Sequence, residues 1–164
     1  MNWYLFVKFL HVSAVAITIG SMFARQLVRG IAKRSDDVNE IASLTRAAVR
    51  MDRALVIPFS NLMALMGIIL AVMLKWPIFG FLQGAEQNWL LVSNVLLVTM
   101  MVIIMRMFLP HNRMVDALLQ TALVAGKVTP ELRTALNDRK NQWAHHIEEG
   151  IFLLIAALMV LKPF

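Results

Sequence analysis

Ala54–Leu74 reads ALVIPFSNLMALMGIILAVML, 21 residues without a charge between Arg53 and Lys75. A hydrocarbon core of ~30 Å needs roughly 20 helical residues, so this stretch is long enough to span a membrane. Three further apolar stretches have similar length: about Trp3–Ala24, Asn88–Leu109 and Trp143–Leu161. Their interiors are expected to be helical, because lipid offers backbone groups no other partner. The composition agrees. Of 164 residues, 59% are hydrophobic and 16% charged, with a mean hydropathy of +0.68. A chain this short has too much surface to hide that many apolar side chains in a core of its own, so lipid must cover the rest.

The charges fix an expected orientation. Seven basic residues lie between the first two spans: Arg25, Arg29, Lys33, Arg34, Arg46, Arg50 and Arg53. Six lie from Arg106, near the inner end of the third span, to Lys140: Arg106, Arg113, Lys127, Arg133, Arg139 and Lys140. The loop from Lys75 to Gln87 has only Lys75. The positive-inside rule places the first and third loops in the cytoplasm, with both termini and the second loop outside. This placement explains the net charge of +6 without nucleic acid as a partner. Without a basic segment before Trp3, the first span reads as a membrane helix and not as a cleaved signal peptide. Cys is absent, which excludes disulfides and thiolate chemistry, and there is no phosphate-binding glycine loop or serine-nucleophile elbow.

The expected fold is therefore all-α: one membrane domain over residues 1–164, a four-helix antiparallel bundle, N-out and C-out, with helical extensions in the cytoplasm. Ser35-Asp36-Asp37 reads as a helix start, and the amphipathic run Val38–Ala48 leads toward the second span. Pro58 is expected to bend that span. Thr129-Pro130-Glu131 is another helix start, and one helix from Pro130 to Lys162 is expected to follow it. Trp3, Trp76, Trp89 and Trp143 fall at span ends as an aromatic belt.

Polar residues within these spans are the candidate sites. On the fourth helix, at about 100° per residue from His145, Asp138 falls near 20°, Glu149 near 40°, Gln142 near 60° and His146 near 100°. One reading is a metal or proton site in which His145, His146 and Glu149 act together, with Asp138 in support and Arg106 of the third helix as counter-ion. The other is a wet helix face at the membrane boundary, with Arg106 snorkelling. Glu148, about 100° around from Glu149, is expected to be inert. On the first helix, Lys8, His11, Val15, Thr18, Met22 and Arg25 share a broad face. His11 can ligate haem iron or relay protons, or simply bond to a neighbouring helix. The second helix has a small, polar face of Ser60, Asn61, Ala64, Gly67 and Ala71. It reads as packing, with Asn61 as a further ligand contact.

The opening Tyr4-Leu5-Phe6-Val7-Lys8-Phe9-Leu10-His11-Val12, with its Lys-x-x-His step, resembles an uncharacterised family of small bacterial four-helix inner-membrane proteins. Trp89 opening the third helix, Pro110 ending it and the closing Met159-Val160-Leu161-Lys162-Pro163 extend the resemblance over nearly the whole chain. More distantly, the family looks like the copper-resistance protein D group and the membrane-bound protoporphyrinogen oxidases. That resemblance implies haem b, with His11 at the position of the oxidase's first-helix ligand. The chain departs from the oxidase where a Trp-x-His-x-Lys pattern opens the third helix; here the residues are Trp89-Leu90-Leu91-Val92-Ser93. Three functions stand at this level: a haem-associated or redox membrane protein, a non-enzymatic accessory or assembly subunit joined to other subunits or to further copies of itself, and a metal or proton translocation component.

Overall fold

The computed structural model describes residues 2–163, one residue short at each end of the 1–164 domain read from the sequence. Those residues form helices α1 (Trp3–Arg34), α2 (Val38–Met51), α3 (Ile57–Met73), α4 (Trp89–Ile103), α5 (Leu109–Ala125), α6 (Pro130–Leu136) and α7 (Arg139–Leu161). Four helical stretches are long and apolar enough to cross a membrane: Trp3–Arg34, Val38–Met73, Trp89–Ala125 and Pro130–Leu161. The protein is an all-α, multi-pass membrane protein.

Pro110 acts differently from expectation. Instead of ending the third helix, Pro110 lies within a helical stretch that runs on to Ala125. Each of Pro58 and Pro110 is preceded by a π-helical turn, Asp52–Val56 and Ile104–Phe108. Ile57 N donates to Asp52 O, and Leu109 N to Ile104 O, each reaching five residues back. Proline has no N–H for the carbonyl four residues earlier and its ring crowds that carbonyl; the wider π turn accommodates both. Through these turns α2 runs into α3, and α4 into α5.

The expected single helix from Pro130 to Lys162 is broken at Asn137-Asp138. Asp138 caps α7, its side chain accepting from Lys140 N. Thr129 caps α6 as read from the sequence, accepting from Leu132 N. At the start of α2 the cap is Asp37, which accepts from Asn39 N at 2.8 Å.

Three apolar clusters hold the helices. The central one joins Ala14 and Met22 of α1, Val56, Met63 of α3, Met100 of α4 and Phe152 of α7. At the far end Ala71, Trp89 and Leu90 pack together. Trp89 is thus buried and not part of an aromatic belt; it meets Trp76 edge-on at 5.1 Å, with the Lys162 ammonium 4.1 Å from the Trp76 ring centre. Trp3 and Trp143 are exposed. The third cluster is a helical cap at the basic end. Val38, Ile41 and Ala42 of α2 pack there with Val115, Leu119 and Ala122 of α5 and Leu132 and Ala135 of α6. Arg133 ties this cap to the end of α1, donating to Lys33 O and Ser35 O at 2.8 Å each. With 32 residues, α1 is about 48 Å long at 1.5 Å per residue. It therefore outruns a ~30 Å hydrocarbon core and can join the cap to the spans.

Candidate functional site

A closed network of ionisable side chains sits where the spans meet the cap. Arg25 of α1 donates from Nη1 to Asp52 Oδ1 at 2.6 Å and from Nη2 to Glu148 Oε2 at 2.8 Å. Arg29, one turn on, reaches Asp52 Oδ2 at 3.3 Å and His145 Nε2 at 2.6 Å. His145 Nδ1 lies 3.1 Å from Glu148 Oε2, which closes the ring. Arg25, His145 and Glu148 are all buried.

The geometry selects one tautomer. A guanidinium has donors and no acceptor. His145 Nε2 must therefore accept from Arg29, leaving the proton on Nδ1 to be donated to Glu148. Two guanidinium cations face two carboxylates, and the neutral imidazole bridges between them. Such pairs survive burial only when their geometry supplies the hydrogen bonds lost from water. Phe108 covers the assembly, its ring 4.0 Å from that of His145 at an interplanar angle of 19°. Asp52 and Phe108 both lie in the π turns. The deformed backbone before each proline thus supplies a member of the site. Together the residues connect all four spanning stretches.

The sequence reading found only part of this. His145 is a member, but Glu148, expected to be inert, is the buried acid. Glu149 is half-buried and has exposed His146 at 3.6 Å, with Glu149 Oε1 unpartnered among the described residues. His145, His146 and Glu149 are not brought to one point. Among the described residues no group of three or more His, Asp and Glu side chains is arranged to hold a metal ion. Arg106 is exposed rather than buried beside Glu149, and Asn61 is exposed as well. Asp138 lies outside the network as the α7 cap, 3.6 Å from His111 Nδ1.

Sequence reasoning sets Arg25 on the inward face of α1 without a partner and does not single out Arg29 or Asp52. Both arginines enter it chiefly as orientation signals, and Asp52 stands between Met51 and Arg53. The available signal was an acid at the mouth of a span opposite two arginines at i,i+4 spacing.

The α1 face does turn inward. Thr18, Met22 and Arg25 are buried, and His11 is half-buried. Thr18 Oγ1 and Arg25 Nε have no hydrogen-bond partner among the described residues. His11 Nδ1 lies 2.9 Å from Met63 O on α3, and since a carbonyl only accepts, Nδ1 carries the proton. Opposite the ring is Gly67, where a Cβ would come within 3.1 Å of His11 Cε1. The small-residue face of α3 thus makes room for the imidazole.

A chain of four apolar helical stretches joined through buried polar contacts has the make-up of an integral membrane protein. It belongs to the family described as predicted integral membrane protein (DUF2269). The match covers residues 5–163, essentially the whole fold including the cap. No curated protein and no solved structure matches the chain.

Proposed function

We propose that the protein is a non-enzymatic accessory or assembly subunit of a larger complex in the bacterial inner membrane, with its basic end in the cytoplasm. The closed Arg25–Asp52–Arg29–His145–Glu148 network carries this reading. Each of these side chains is held by another member, and with Phe108 stacked on His145 they join all four spanning stretches beside the cap. A rigid helical platform at the membrane surface suits a subunit that works by contact. The positive-inside distribution of Lys and Arg supports the orientation. The test is purification in mild detergent at native expression, after crosslinking in intact cells. A membrane protein is expected at constant stoichiometry, and its recovery should fall when Glu148→Gln loosens the cap. Recovery of the chain alone, with or without crosslinking, would sink the proposal.

His11 favours a second reading, the haem association implied by the distant resemblance. The proton on Nδ1, directed at Met63 O, leaves Nε2 with a free lone pair. This is how a ligating histidine is commonly set by its second nitrogen. The residues fit one axial position only. Arg25, which holds Glu148 and so locates His145, stands about 21 Å from His11 along α1 at ~1.5 Å per residue, so His145 and His146 do not flank the same iron. A haem held by His11 would supply a one-electron redox centre within the spans. The test is a visible spectrum of protein purified from cells supplied with haem precursor. A Soret band is expected that is lost in His11→Ala and kept in His145→Ala. A colourless protein disproves this second reading and leaves the first intact.

A further inference from the structure

We infer that the groove between the end of α4 and the start of α7 is a binding site for one anionic phospholipid. The groove has a volume of about 350 Å³, within the ~300–1,000 Å³ range of small-molecule sites. One wall is Ile103 and Met107; the other is Trp143, Ala144 and Ile147. Arg139 and Lys140 complete the lining at the first turn of α7. From Arg139 to Ile147 the helix rises about 12 Å. Arg139 and Lys140 line the groove with their carbon stems, so their charged groups stand at its rim above apolar walls, in the order of a phosphate headgroup and its acyl chains.

Charge complementarity identifies the occupant. Arg139 and Lys140 are exposed and make no ion pair among the described residues. Asp138, the adjacent acid, is committed elsewhere. Its Oδ1 accepts from Lys140 N at 3.0 Å and its Oδ2 is 3.6 Å from His111. The two cations are thus left for an anion from outside the chain. Trp143 is 64% exposed at the same level, where an indole favours the headgroup region. Basic pockets between membrane helices bind anionic headgroups in this way. A zwitterionic lipid would satisfy the apolar walls but not the paired cations.

The experiment is native mass spectrometry of the full chain in detergent, titrated with phosphatidylglycerol or phosphatidylcholine. Phosphatidylglycerol should be retained preferentially, and its affinity should fall about twenty-five-fold in the Arg139→Gln/Lys140→Gln double variant, at roughly fivefold per cation. Arg46→Gln/Arg50→Gln, exposed cations elsewhere on the cap, should stay within about twofold. Met107→Trp, which fills the apolar wall from a partly exposed position, should also weaken retention, so the inference does not depend on one variant folding. Equal retention of phosphatidylcholine, equal loss in the Arg46/Arg50 variant, or displacement by glycerol phosphate alone would each overturn the lipid site.

Discussion

Arg25 Nη2 donates to Glu148 Oε2 at 2.8 Å, joining residues 123 positions apart in the chain. The same guanidinium holds Asp52 through Nη1 at 2.6 Å. One side chain thus fastens the first, second and fourth spanning stretches, and Phe108 stacked on His145 brings in the third. The ring of contacts stands between the lipid-facing part of the molecule and its helical cap.

Glu148→Gln is expected to be strongly destabilising. It removes one of two negative charges facing Arg25 and Arg29, leaving an excess of buried positive charge. Removing one partner of a buried pair costs about 3–5 kcal/mol. Glu149→Gln should change little, because the ion-pair contact of half-buried Glu149 is with the exposed His146, at 3.6 Å. Thermal unfolding in detergent checks both. Equal midpoints for the two variants would show that the network does not hold the fold.

Arg25→Lys should fail to rescue the site. An ammonium is a point charge and cannot reproduce the planar fork that reaches two carboxylates at once. Losing one charge-assisted hydrogen bond costs about 1.5–3 kcal/mol, so a clear fall in midpoint is expected. Arg46→Lys, on the exposed face of α2, serves as the neutral comparison. An unchanged midpoint for Arg25→Lys would mean that charge alone matters at this position.

The contrast between the two glutamates shows what periodicity can and cannot resolve. Measured from His145, Glu149 lies about 40° to one side and Glu148 about 60° to the other, so both fall on a plausible inward arc. The buried residues of α7 decide between them. His145, Glu148, Phe152 and Ile155 follow a 3-4-3 spacing, and large apolar side chains continue the line from Glu148. From Glu149 the corresponding line reaches half-buried Ala156. The spans were legible because hydrophobic length is a local property. The ion network was not, because Asp52 finds its arginines only when α1 packs on the turn before α3. The π turns were also hidden: Pro58 and Pro110 marked where the helices are disturbed, not how.

Gly67→Ala tests the contact with His11. Alanine is favoured over glycine in a helix by about 1 kcal/mol, but its Cβ would meet His11 Cε1 at 3.1 Å. The imidazole is tethered by its hydrogen bond to Met63 O, one turn away from Gly67 on the same helix, and has little freedom to retreat. The two effects should nearly cancel in the natural sequence. In a His11→Ala background the same change should stabilise by about 0.5–1 kcal/mol. A double-mutant cycle read by thermal unfolding gives the coupling directly. No coupling would mean that the ring moves aside freely.

The proposed orientation predicts a pattern of reporter activity. Alkaline phosphatase fused after Phe164 should be active, since the enzyme requires the oxidising exterior. A fusion near Lys127, at the end of α5, should be inactive. The opposite pattern would place the basic cap outside and remove the positive-inside support for the proposed function.

Asp138 separates a capping role from a charge role at the break between α6 and α7. Its Oδ1 accepts from Lys140 N at 3.0 Å, and its Oδ2 is 3.6 Å from His111 Nδ1. Asp138→Ala removes both contacts, and loss of an N-cap costs about 1 kcal/mol. Asp138→Asn keeps a capping oxygen and removes the charge, and Asn is as good an N-cap as Asp. If the cap dominates, Asn should retain nearly all the stability that Ala loses, at pH values both above and below the titration of His111. If the His111 contact dominates, Asn should be as poor as Ala at low pH, where the imidazolium lacks its carboxylate, and should recover as the imidazole becomes neutral. Capping is the expected outcome, because at 3.6 Å the imidazole contact is long for a hydrogen bond. Unfolding midpoints of the three proteins across that pH range decide it.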